Sequence, residues 1–253
     1  MKKNLIITFC LLLISNSVLA DLPETLKKIK PSVVGVGTLE QTRRPPAQLL
    51  GTGFAVGNGK YVITNAHVIP NELNAERLEK LIVFIGIGKK AKAAEVELVE
   101  RDRVHDLALL KLKGGHLPPM QLGYMKEVEE GKRYAFTGFP IGSVLGIYPV
   151  THHGIVSAIS PIAIPQSTGQ TLDAVMIKRL RDPYDILQLD ATAYPGNSGS
   201  ALYDTETGRV VGVINKVFVK ETKETVLEKP SGITYAIPVT FVRELLLRNK
   251  IPF

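Results

Sequence analysis

Gly51-Thr52-Gly53-Phe54-Ala55-Val56-Gly57-Asn58-Gly59-Lys60-Tyr61-Val62-Ile63-Thr64 decides the class of fold. Apolar and β-branched residues flank Gly57-Asn58-Gly59-Lys60, and glycine and asparagine supply the positive φ values that a tight hairpin needs. The stretch therefore reads as strand, turn, strand, over Gly51 to Val56 and Tyr61 to Thr64. Similar short apolar runs occur at Val33 to Thr38, Leu81 to Ile85, Glu95 to Arg101 and Leu107 to Leu112. Pro118-Pro119 and the polar stretch Lys126 to Gly131 read as a linker. A second set follows at Tyr134 to Phe136, Gly154 to Ile159, Ile186 to Leu189, Ala201 to Tyr203 and Val210 to Val219, with a turn at Asp204 to Gly208. Many short strands with turn residues between them predict an all-β chain, built as barrels or a sandwich. Two short helices frame it. Leu22, Leu26 and Ile29 recur at helical spacing until Pro31 stops them, and Thr240 is placed to cap a last helix bearing Phe241, Val242, Leu245 and Leu246 on one face.

The chain has 253 residues, 45% of them hydrophobic and 22% charged, which is enough apolar material for one large domain or two small ones. Residues 1–20 read as a segment apart. Lys2 and Lys3 precede the apolar run Leu5 to Ile14, and Val18 and Ala20 stand three residues and one residue before Asp21, as signal peptidase requires. Cleavage after Ala20 is expected, with export to a bacterial periplasm or beyond, an uncleaved membrane anchor being the alternative. The single cysteine, Cys10, lies in that segment, so the remainder must hold together by packing alone. The formal charge of +7 includes Lys2 and Lys3. Short basic clusters such as Arg43-Arg44 and Lys89-Lys90-Ala91-Lys92 read as solvated loop charge, and they lack the interleaved aromatics of a nucleic-acid surface. His152-His153 would point to opposite faces of a strand, so no metal site is expected there, no cofactor is expected either, and His105 is expected to be exposed.

Past the opening hairpin the chain runs into Asn65-Ala66-His67-Val68. His105-Asp106 stands at the mouth of the apolar run Leu107 to Leu112, and Tyr194-Pro195-Gly196-Asn197-Ser198-Gly199-Ser200 surrounds one serine with small, turn-forming residues. A serine hydroxyl is a weak nucleophile near neutral pH. It needs a base within hydrogen-bond reach, and the base needs an acceptor to orient it. Ser198 is accordingly the candidate nucleophile, His67 the candidate general base and then acid, and Asp106 the group that fixes the imidazole tautomer. The N–H groups of Gly196 and Ser198 are the candidate oxyanion hole. Each signal is weak alone; together they are specific, because each stands at the required strand end or turn. With the base in one half and the nucleophile in the other, two barrels with a cleft between them are suggested, although periodicity alone gives only the all-β class.

The chain order His67, Asp106, Ser198 is that of chymotrypsin and not of subtilisin or the α/β-hydrolases. With Pro31-Ser32-Val33-Val34-Gly35-Val36, Thr64-Asn65-Ala66-His67-Val68, Asp106-Leu107-Ala108-Leu109-Leu110-Lys111, Gly154-Ile155-Val156-Ser157-Ala158, Leu187-Gln188-Leu189-Asp190-Ala191, Pro195-Gly196-Asn197-Ser198-Gly199 and Tyr235-Ala236-Ile237-Pro238, the chain resembles the protease domain of HtrA-type (DegP-like) serine proteases. The resemblance covers about Pro31 to Arg248 and implies a chymotrypsin-like double β-barrel. The barrels would span about 31–125 and 130–238 of a protease domain over 21–253, with a terminal helix at about 240–249. It also implies an extracytoplasmic endopeptidase acting on unfolded or damaged polypeptides. The chain departs from the family pattern in carrying Ser200 where a second glycine is usual, and no PDZ domain is expected after the helix. The segment Ile159 to Tyr184 is long, so regulation and a homo-oligomeric state stay open.

In the trypsin-like alignment that the resemblance implies, the primary pocket has its floor near Thr192 and its walls near Ala193 and Asn215, Lys216 and Val217. No carboxylate stands at the floor to pair a basic side chain, and Val217 narrows the slot, so Val, Ala, Ile or Leu is expected before the cut bond. A non-catalytic binding protein or chaperone on the same scaffold is the alternative, and an esterase is disfavoured because Gly-x-Ser-x-Gly is absent at Ser198.

Overall fold

The computed structural model describes residues 22–141, 146–162, 181–215 and 233–253. Helix α1 (Leu22–Ile29) leads through a short 3-10 turn at Lys30–Ser32 into β1 (Val33–Leu39). The first half continues with β2 (Ala47–Val56), β3 (Tyr61–Thr64), β4 (Lys80–Ile85), β5 (Lys92–Asp102) and β6 (Leu107–Leu112). The second comprises β7 (Arg133–Gly138), β8 (Val150–Pro161), β9 (Asp185–Asp190), β10 (Ala201–Asp204), β11 (Val210–Asn215) and β12 (Ile233–Pro238), before helix α2 (Val239–Arg248). Each half closes on itself as an antiparallel barrel, in the orders β1-β2-β3-β6-β5-β4 and β10-β11-β12-β9-β8-β7. Closure removes the unpaired edges that an open sheet of short strands would leave. The all-β double barrel with a short helix at each end is thus borne out.

Three apolar clusters hold the molecule, and period-2 alternation distributes residues between them. On β2, Ala55 points into the first barrel with Val34, Val36, Val62 and Val83. Its neighbours Phe54 and Val56 face outward and join Leu107, Leu109, Tyr203, Val210, Val213 and the α2 residues Val242, Leu245 and Leu246. The second barrel is filled by Tyr134, Phe136, Val156, Leu187, Leu189, Val211 and Ile214. Phe54 to Val56 of β2, Leu107 to Leu110 of β6 and Val210 to Ile214 of β11 are therefore buried on both faces, which is why these stretches read as apolar runs. The shared cluster packs the two barrels and α2 against one another and fixes their junction.

Three readings needed correction. Tyr235-Ala236-Ile237-Pro238 belongs to a strand, β12, that periodicity did not bring out. Thr240 is not the cap of the last helix: Pro238 occupies that place, no side chain caps the turn, and Thr240 is the second helical residue. His105, expected to be exposed, is half-buried: its ring stacks on Phe241 with centroids 3.9 Å apart, and its Nδ1 lies 2.9 Å from Asp102 Oδ2.

Candidate active site

β3 ends at Thr64, and the chain then winds through a 3-10 turn at Ala66–Val68 that lifts His67 to the surface. Asp106 ends the β5–β6 turn at φ +53, a left-handed conformation that few residues other than glycine, asparagine and aspartate accept. That conformation turns both its carbonyl and its carboxylate towards the histidine segment. Asp106 O accepts from Ala66 N at 3.1 Å and from Asn65 Nδ2 at 3.0 Å. Its Oδ1 accepts from His67 N at 2.9 Å, and its Oδ2 lies 2.6 Å from His67 Nδ1. A carboxylate only accepts, so the proton of that bond sits on Nδ1, and neutral His67 keeps its lone pair on Nε2. This is the tautomer a general base requires.

The serine loop arrives from the second barrel. Asn197 N donates to Tyr194 O at 3.0 Å and Ser200 N to Asn197 O at 3.0 Å, so two tight turns follow one another. Gly196 at φ +101 and Gly199 at φ +88 occupy backbone regions that side chains avoid. Space excludes a Cβ as well: at Gly196 it would overlap Phe139 O, and at Gly199 it would overlap Thr52 O and Thr64 Oγ1. Ile141 N donates to Pro195 O at 2.8 Å, from a strained φ of +47 at a β-branched residue. Across the trans Pro195–Gly196 peptide, the Gly196 N–H must point away from that bond. Among the described residues, neither Gly196 N–H nor Ser198 N–H has an acceptor. Two such free donors flanking Ser198 suit a developing oxyanion.

The two segments meet at Gly51. A Cβ there would lie 2.7 Å from Val68 Cγ2, beside His67, and 3.0 Å from Ser198 O. Thr52 N donates to Ser198 O at 2.9 Å. The structure therefore brings Ser198 against the His67 segment, but no hydrogen bond joins the Ser198 hydroxyl to the ring. Such bonds commonly tighten only when substrate binds. Of the expected pocket residues, Thr192, Ala193 and Asn215 are half-buried beside this loop, and Lys216 and Val217 lie outside the described residues.

Thr234 and Asp102, which hold the segments of the site, were not singled out in the sequence. Buried Thr234 on β12 donates to Ala191 O at 2.6 Å and accepts from Ala193 N at 3.1 Å, catching the chain as it leaves β9 for the serine loop. Asp102 Oδ1 accepts from Val104 N and His105 N, both at 3.1 Å, and so shapes the turn that delivers Asp106. Burial alone would raise the Asp102 pKa. Hydrogen bonds from the His105 side chain and backbone and from Arg248 outweigh it and hold the carboxyl well below the usual carboxylate range. His152, on β8, stacks on Phe136 at 5.1 Å, and burial lowers its pKa.

Two closed six-stranded antiparallel barrels, with a carboxylate-bound histidine and a glycine-bounded serine at their junction, define the double-barrel serine hydrolase class. Residues 51–213, which include His67, Asp106 and Ser198, match the family model described as a trypsin-like peptidase domain, and the chain belongs to that family. It is 30% identical over 203 residues to a probable periplasmic serine endoprotease DegP-like of Halomonas elongata, covering 79% of this chain and 35% of that protein. It is also 30% identical over 207 residues to the serine protease Do-like HtrA of Lactobacillus helveticus, covering 79% of this chain and 43% of the other. The chain thus spans about a third of the length of the first DegP-like relatives it matches. Among solved structures, the serine endoprotease from Yersinia pestis superposes with a TM-score of 0.62 at 26% identity, over 90% of this chain and 66% of that one. The HtrA-type protease AlgW with tripeptide gives 0.63 at 26% identity, over 90% and 62%.

Proposed function

We propose that this chain is an exported serine endopeptidase in which Ser198, His67 and Asp106 work as one unit. The observation that carries the reading is the His67–Asp106 pair at 2.6 Å, set at a barrel junction against a glycine-bounded Ser198 loop with unspent N–H donors. Neutral His67 takes the Ser198 proton as Oγ bonds to the scissile carbonyl carbon. Asp106 stabilises the imidazolium that forms, and the Gly196 and Ser198 N–H groups receive the carbonyl oxygen as it becomes an oxyanion. Collapse breaks the C–N bond, His67 gives its proton to the leaving amine, and water then hydrolyses the acyl-enzyme by the same steps. Unfolded or damaged proteins are the substrate class that fits the HtrA resemblance, with a small or medium aliphatic residue before the cut. Export fits the composition of residues 1–20, which lie outside the described residues, and the periplasmic names of the relatives.

Cleavage of casein by the purified protein tests this. Ser198→Ala and His67→Ala are each expected to lower kcat by at least about 10⁴-fold with an unchanged circular dichroism spectrum. A folded Ser198→Ala protein with wild-type cleavage would end the reading, as would a wild-type protein that binds casein without cutting it.

A further inference from the structure

Between Gly51 and Gly53 the β2 strand stays paired with β1 but has run past β3. Pairing of β2 with β3 extends from Val56↔Tyr61 to Phe54↔Ile63 and stops there. Thr52 is nevertheless fully buried and fully partnered on that side. Its N–H donates to Ser198 O at 2.9 Å, and its carbonyl accepts from Thr64 Oγ1 at 2.7 Å. Its hydroxyl donates to Gly196 O at 2.7 Å and accepts from Phe139 N at 3.0 Å. One residue of the first barrel thus grips the serine loop at two carbonyls. It also grips the strand end that leads into His67 and the β7 exit against which Gly196 packs.

On the reading proposed above, we infer that Thr52 is a positioning residue for catalysis, and that its hydroxyl sets the nucleophile loop in register with His67. The Gly196 carbonyl belongs to the peptide between Gly196 and Asn197, so holding it fixes the backbone torsion between the two oxyanion donors. Phe139 N reaches the same hydroxyl, so Phe139 O, which excludes a side chain at Gly196, is fixed with it. The geometry uses the hydroxyl both ways: its single proton goes to Gly196 O, and a lone pair takes the Phe139 N–H. A methyl group of equal size can do neither. Loss of the hydroxyl would free the loop to shift relative to a base carried by the other barrel, and displacement of about 1 Å can cost about 10²-fold in rate.

The test compares wild type, Thr52→Val, Thr52→Ser and Ser198→Ala. It measures kcat and KM on a peptide substrate and the second-order rate of labelling by a fluorophosphonate, with melting curves alongside. Thr52→Val is expected to lower kcat and the labelling rate together by about 10²-fold with KM within about twofold, and Thr52→Ser to restore both. Rates are referred to folded protein, so a purely structural role would lower the melting temperature and leave kcat alone. If Thr52→Val yields no folded protein, Thr52→Cys is read in the same way. Wild-type kcat and labelling in any folded variant lacking the hydroxyl overturn the inference while leaving the proposed activity standing. Wild-type activity in folded Ser198→Ala would instead remove the activity on which it rests.

Discussion

Gly196 is the residue at which a single methyl group should separate fold from activity. Its φ of +101 and the Phe139 carbonyl pressed against it leave no place for a Cβ. Gly196→Ala is expected to rotate the Pro195–Gly196 peptide and withdraw one oxyanion donor, lowering kcat by about 10²–10³-fold. Substrate binding, read as KM, should change little, and a kcat near wild type would show that this N–H takes no part. Legibility at this scale follows sequence distance. The roles proposed for Gly196 and Ser198 are written in a seven-residue run whose turn chemistry is local. The Thr52 hydroxyl and Thr234 act on the serine loop through partners more than forty positions away, and no local pattern marks them. Arg43 misleads in the other sense. It reads as loop charge, yet it donates to the Thr38 carbonyl and hydroxyl and pairs with Glu79 at 3.0 Å.

Among the elements, the β5–β6 turn carries Asp106 and is sensitive to a change of pH through Asp102. Asp102 anchors it by accepting from Val104 N and His105 N, and Arg248 of α2 reaches Asp102 Oδ2 at 2.9 Å and Glu100 Oε1 at 3.0 Å. The folded-state pKa of Asp102 is depressed, so its contribution to stability is present above the ordinary carboxylate pKa of about 3.9 and is lost as pH falls below that value. Asp102→Asn is expected to cost about 2 kcal/mol at pH 7, the worth of a charge-assisted hydrogen bond, and to flatten the fall in stability below about pH 4. Urea unfolding at pH 7 and pH 3 checks both parts, and equal losses at the two pH values would contradict the assignment. The apolar stripe of α2 and the Gly57-Asn58-Gly59-Lys60 turn were open to reading because each obeys a local period. The contact of Arg248 with a turn 146 residues earlier was not, and neither was β12, whose six residues end in a proline that usually argues against a strand.

For the whole molecule, the decisive feature is that stretches of β2, β6 and β11 are buried on both faces. One face fills a barrel, and the other joins Phe54, Leu107, Leu109, Val213 and α2 in the shared cluster. That cluster sets the separation of His67 and Asp106 on one barrel from Ser198 on the other. Continuous apolar runs made the all-β class legible, but the same runs cannot say which face meets which barrel. The junction is set by long-range packing of Phe54, Leu107, Leu109 and Val213, which no local pattern records. The most direct measurement of the proposed unit is mass spectrometry of the protein after reaction with a fluorophosphonate, whose phosphorus is attacked by an activated serine hydroxyl with loss of fluoride. The expected result is one adduct, on Ser198, with labelling lost in His67→Ala and in Asp106→Asn while both variants stay folded. A folded wild-type protein that takes no label, or an adduct on any other residue, would contradict it.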